Sequence, residues 1–94
     1  MDKGPSEFAK YWTSEFNEAE HYKDHGHEMG YSKIKDYSKA AVRFAQSKER
    51  GILVYVGRNG AIVRYFPKTD EFVIVSKTGN IVTYFAPDDI QYAN

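Results

Sequence analysis

The sequence has no cysteine, which excludes a disulfide framework and any thiolate zinc site. It also has no apolar run near the roughly 20 residues that a membrane-spanning helix requires. The opening Met-Asp-Lys-Gly-Pro lacks the apolar core of a signal peptide. The chain is therefore expected either to stay inside the cell or to be the end of a longer exported protein. Proline is scarce, at three residues, and the formal net charge is zero. A chain with no net charge lacks the overall basic excess that a polyanion-binding protein usually carries.

The charge is unevenly placed all the same. Residues 1–28 hold three Lys/Arg against seven Asp/Glu, and residues 29–94 hold ten against six. The basic half is also the half with strand character, so a basic sheet face for RNA is one reading and an ordinary solvated surface is the other. Ninety-four residues make one domain, 1–94. Eight Tyr, six Phe and one Trp can fill much of a small core.

Ser6 follows Pro5 and can cap a helix. Phe8, Tyr11, Trp12, Phe16 and Ala19 recur at helical spacing, which predicts a helix over about 7–20. That helix can continue through His21 and His25, four apart and on one face, towards breaks at Gly26 and Gly30. Ser32 is the expected N-cap of a second helix over about 33–47, with Ile34, Tyr37, Ala41, Phe44 and Ala45 as its apolar stripe. From Gly51 the pattern changes to β-branched and aromatic runs at 52–56, 61–66, 71–76 and 81–85. The runs are separated by Arg58-Asn59-Gly60, Pro67-Lys68-Thr69-Asp70 and Lys77-Thr78-Gly79-Asn80. Such short turns require an antiparallel meander. The expected fold class is α+β: two N-terminal helices packed on a four-stranded antiparallel sheet over about 51–85. The tail beyond Pro87 reads as irregular or one short turn.

All three histidines lie in the segment 21–30, with Lys23, Asp24 and Glu28. His21-x-x-x-His25 has metal-ligand spacing, but Tyr22 follows the first histidine where zinc proteases carry glutamate, and no third ligand is evident. No metal and no cofactor is assigned. An imidazole that titrates near pH ~6.5 suits general acid/base work. Under strict alternation Ile62, Arg64 and Phe66 share one face of the second strand, and Ile81, Thr83 and Phe85 share one face of the fourth. Arg64 and Thr83 together would hold a phosphate through a guanidinium fork and a hydroxyl. Ser76 is a weaker group of the same kind, and Tyr65 and Tyr84 are candidates for stacking on a base. These groups suit metal-independent RNA cleavage, in which a base takes the 2′-hydroxyl proton, the oxygen attacks phosphorus and an acid protonates the leaving 5′-oxygen.

Three blocks carry a resemblance. The first is His25-Gly26-His27-Glu28-Met29-Gly30 with Tyr37, Ala40 and Phe44. The second runs from Gly60 through Val63-Arg64-Tyr65-Phe66-Pro67-Lys68-Thr69-Asp70-Glu71-Phe72. The third is Val75-Ser76-Lys77 with Gly79, Ile81, Thr83-Tyr84-Phe85 and Pro87. Together they resemble the C-terminal ribonuclease toxin domains of bacterial polymorphic and contact-dependent inhibition toxins, which are similar to the barnase, EndoU, colicin and RelE group. The match spans about 21–87, and Phe66 stands where the pattern usually has aspartate. The resemblance implies His25 as acid/base, Arg64 as phosphate-binding cation and Thr83 as a hydroxyl of the same site, with His21, Glu28, Ser76 and Tyr84 secondary. It further implies an RNA substrate, with tRNA favoured, a cognate immunity protein, a free monomer, and delivery within a larger toxin to the cytoplasm of a target bacterium. Two rivals remain: a non-catalytic RNA- or protein-binding module on the same scaffold, and a small metal-dependent hydrolase built on His21 and His25.

Overall fold

The structure, a computed structural model, describes residues 11–87. It is an α+β fold in which two helices precede a four-stranded antiparallel sheet. The elements are α1 (Glu15–His21), a π-helical turn (Tyr22–Gly26), α2 (Ile34–Gln46), β1 (Leu53–Val56), β2 (Ile62–Phe66), β3 (Glu71–Val75) and β4 (Ile81–Phe85). The strands lie in the order of the chain, β1-β2-β3-β4, so each is joined to its neighbour by a tight turn. Among the described residues, no helix is long and apolar enough to cross a membrane.

The first helix starts later than the spacing of its aromatics predicts. Ser6 and Phe8 lie outside the described residues. From Tyr11 to Thr13 the chain is not helical, and Trp12 forms a parallel bridge with Ile81. The Ile81 N–H donates to the Tyr11 carbonyl at 2.7 Å, and the Thr13 N–H donates to the Ile81 carbonyl at 3.0 Å. The open edge of β4 thus competes for this backbone and wins over helix propensity. Ser14 then caps α1, its hydroxyl accepting from the Asn17 N–H at 3.0 Å. Phe16, assigned to the apolar stripe, is 75 % exposed.

The second helix follows the predicted stripe closely. Tyr37, Ala41, Phe44 and Ala45 are buried, whereas Ile34 stays exposed at the first turn. Its N-cap is Lys33 rather than Ser32, because the Asp36 and Tyr37 N–H groups both reach the Lys33 carbonyl. The helix packs on β3 and β4. Tyr37 sits at the centre, with rings of Trp12, Tyr22, Tyr31 and Tyr84 at 5.4 to 6.0 Å. Its hydroxyl donates to the Tyr84 carbonyl, so the buried ring also has its polar atom satisfied. Burial pushes the Tyr37 hydroxyl pKa far up, with Asp24 adding to the shift.

The Asn59-Gly60 hairpin differs from the two-residue turn the dipeptide suggests. Only Gly60 takes a positive φ, +84°, and the loop has three residues. The Gly57 N–H donates to the Ala61 carbonyl at 2.8 Å, and the Gly60 N–H donates to the Gly57 carbonyl at 3.0 Å. That is a turn ending in a glycine bulge, and Ser76 to Asn80 repeats it around Gly79.

One irregularity decides which side chains share a face. Between β3 and β4 the register runs Ile74↔Thr83 and then Val75↔Ile81. Val82 is thus an extra residue on β4, and the inside–outside phase of the strand changes there. Ile81 and Tyr84 consequently face the helices together with Val73, Val75 and Phe66. Thr83 and Phe85 face the other way, with Ile74 and Phe72.

Candidate functional site

The site forms where α1 and the π turn wrap the β4 edge. A π turn holds one residue more per turn than an α-helix and recurs at functional sites. Gly26 makes it possible here, because a Cβ at that position would lie 2.2 Å from Tyr22 Cδ1. The Tyr22 ring therefore packs directly over the glycine and reaches Tyr37 on the core side. His21 and His25 project from the same segment towards the opposite face of the sheet. Their rings stack at 5.7 Å between centroids and 23° between planes. His21 Nδ1 lies 2.9 Å from Thr83 Oγ1, and the His25 ring stacks on Phe85 at 5.2 Å. Trp12 flanks His21 at 5.7 Å.

Thr83 is only 8 % exposed, so its hydroxyl requires a partner, and His21 is that partner. The His21 imidazole pKa is held below its ordinary value. Burial is the main cause and the neighbouring His25 the second, while Asp24 and Glu20 oppose both. A lowered histidine pKa favours the neutral ring, which can accept a proton. If Nδ1–H donates to Thr83, Nε2 carries the free lone pair. The third histidine, His27, turns aside and meets Tyr22 at 5.1 Å.

Past Phe85 the rings continue, half-buried, along this face of the sheet. Phe72 lies 4.8 Å from Phe85, and Tyr65 lies 6.4 Å from Phe72. The row from His21 to Tyr65 thus crosses from the helical edge to the second strand. Next to the end of β4, a depression is lined by Glu28, Met29, Pro67, Lys68, Asp70 and Ala86, among others. Glu28 is exposed there, and Lys68 places a cation next to the strand end that carries Phe85.

The other expected residues are not brought here. Arg64 pairs with Val73, which pairs with Tyr84, so Arg64 lies on the helix face, whereas Thr83 lies on the opposite one. The expected joint phosphate site of Arg64 and Thr83 therefore does not form. Strict alternation had set Thr83 on the face of Ile81, which does face the helices, but the Val82 bulge turns Thr83 to the other side. The Arg64 guanidinium instead donates to the Ser47 carbonyl at the end of α2, with its pKa lowered by burial. Tyr84 is fully buried and donates to the Glu71 carboxylate, so it has no face to offer a base. Its hydroxyl pKa is driven strongly up by burial first and by Glu71 second. Ser76 sits in the β3–β4 turn, at the far end of β4 from Phe85. Its hydroxyl bonds Thr78 Oγ1 at 2.9 Å and accepts from the Asn80 N–H at 3.1 Å. Tyr65 donates its hydroxyl to Asp70 at 2.8 Å.

Sequence reasoning missed Phe72, Lys68 and Trp12 as parts of this region, whereas alternation had already set Phe85 on the face of Thr83. Among the described residues no three His, Asp or Glu side chains converge as a metal site would require. No family model matches the chain, and no curated protein matches it.

Proposed function

We propose that the chain is a metal-independent endoribonuclease domain of the bacterial toxin type, with His21 and His25 as its acid/base pair. The observation that carries this reading is the His21 Nδ1 to Thr83 Oγ1 contact of 2.9 Å beside the stacked His25 ring. The neutral His21 takes the 2′-hydroxyl proton of RNA. The 2′-oxygen forms a bond to the adjacent phosphorus, and the bond from phosphorus to the 5′-oxygen breaks. His25 gives a proton to the leaving 5′-oxygen, and the product carries a 2′,3′-cyclic phosphate. Thr83 acts as a positioning residue that fixes the His21 tautomer, and Lys68 supplies positive charge near the reacting phosphate.

The order helix, helix, four-stranded meander supports a barnase, EndoU, colicin and RelE-like assignment, as do the sequence blocks that resemble those toxin domains. On this reading the domain acts on RNA, tRNA foremost, in the cytoplasm of a target bacterium. It is delivered as the end of a larger secreted protein and held inactive in its maker by a cognate immunity protein. It needs no cofactor and is monomeric when free. The test is incubation of the purified chain with total bacterial RNA in excess EDTA, with the ends of the products analysed. Discrete fragments ending in 2′,3′-cyclic phosphate support the reading, and intact RNA in the presence of folded protein refutes it.

The row of Phe85, Phe72 and Tyr65 also favours a second reading, an RNA-binding module without cleavage, because aromatic faces accept bases irrespective of sequence. Salt-sensitive RNA affinity with no cleavage would identify it.

A further inference from the structure

The two edges of the sheet are treated differently. The β4 edge is covered by the bridge between Trp12 and Ile81. The β1 edge has no strand beyond it among the described residues. Helix α2 packs on β3 and β4, and no described element covers either face of β1, with Leu53, Val54, Tyr55 and Val56 between 57 and 67 % exposed. Edge strands are normally guarded by a charge, a proline or a bulge. β1 has none of these. It has the composition of a central strand in an edge position. Its nearest charges lie outside it, Arg50 before the strand and Arg58 after it, both exposed.

The backbone of β1 is presented for pairing. The Gly57 N–H bonds to the Ala61 carbonyl at 2.8 Å, and hydrogen-bonded pairs recur at every second residue of an antiparallel ladder. Tyr55↔Val63 and Leu53↔Tyr65 are therefore the bonded pairs of β1 and β2. The N–H and C=O groups of Val54 and Val56 point away from the sheet.

A second copy of the chain is a poor occupant. The register that overlaps the apolar run 52–56 of two copies most fully around a two-fold axis sets Val54 against Val54 and Ile52 against Val56. It then brings Arg50 of each copy to Arg58 of the other, so like charges meet at both ends. The same two arginines suit a strand that carries carboxylates at its ends. We propose that the free edge of β1 receives an extended apolar strand of a different protein, flanked on both sides by acidic residues, which adds a fifth antiparallel strand to the sheet. This interface stands apart from His21 and His25 and does not depend on the ribonuclease reading.

The test uses the full chain and a blocked peptide of alternating valine and threonine with aspartate at both ends. Amide hydrogen exchange is followed residue by residue. At saturation, exchange at Val54 and Val56 slows by at least about tenfold, and a lysine-ended version of the peptide binds at least about tenfold more weakly at low salt. Val54→Pro removes an outward N–H at a position where an edge strand tolerates proline. It abolishes binding and leaves the circular dichroism spectrum unchanged. The double change Arg50→Glu and Arg58→Glu reverses the preference between the two peptides. Unaltered exchange at Val54 and Val56 with the aspartate-ended peptide overturns the proposal. So does slow exchange of these amides in the free monomer, which would mean that the chain's own terminal segments pair with β1. Concentration-dependent dimerisation that protects the same amides overturns it in favour of a second copy.

Discussion

Arg64→Met separates an arginine that holds the fold from one that holds a phosphate. The guanidinium donates to the Ser47 carbonyl, the residue that closes α2. A hydrogen bond from a charged donor contributes about 1.5–3 kcal/mol where it is sheltered, and a cation at a helix C-terminus adds about 0.3–1 kcal/mol. Arg64 is only partly buried, so solvent takes a share of both, and about 1–2 kcal/mol is the expected loss. Methionine keeps most of the apolar stem and its packing. For a domain of this size each kcal/mol moves Tm by about 4–8 °C, so a fall of about 4–16 °C is expected in a thermal melt followed by circular dichroism. Below that melt, cleavage of an RNA substrate should stay within about threefold of the parent chain, since nothing at the reacting atoms has changed. A loss of about a hundredfold or more in kcat with Tm unmoved would refute the reasoning and return Arg64 to the catalytic site.

Three further outcomes are expected. His21→Ala and His25→Ala should each lower RNA cleavage by about 10²–10⁴-fold while the melt stays cooperative; full activity of either removes that residue from the mechanism. The lowered His21 pKa means that the unfolded chain binds the proton more readily than the folded one. The stability it contributes is complete above about pH 6.5 and is lost as pH falls through the lower folded value. Urea melts from pH 7.5 to 5 should show this loss, and His21→Gln should flatten it. Gly26→Ala should destabilise the chain by about 1–3 kcal/mol, because the new Cβ meets the Tyr22 ring at 2.2 Å; an unchanged denaturation midpoint would show that the π turn yields freely.

The helices and strands were readable wherever one periodicity had no competitor. The stripe of Tyr37, Ala41, Phe44 and Ala45 has helical spacing and is buried. The strand runs between short turns became a meander because turns that short permit nothing else. The clustering of histidines in residues 21–30 was likewise a property of the chain, and that segment supplies the His21 and His25 rings of the candidate site. The start of α1 was not readable, because local spacing offers helix at Trp12 while the sheet edge offers Ile81, and only the folded chain brings that edge near. The partner of Thr83 was not readable either. Alternation along β4 expects Ile81, Thr83 and Phe85 on one face, and a bulge within the strand breaks that alternation. The extra residue at Val82 shifts the phase, placing Thr83 under His21 and leaving Arg64 at the end of α2. Residue type and spacing determined the elements and their order. Contacts between residues far apart in the chain, each closing a loop that no local preference encodes, determined which side chains meet.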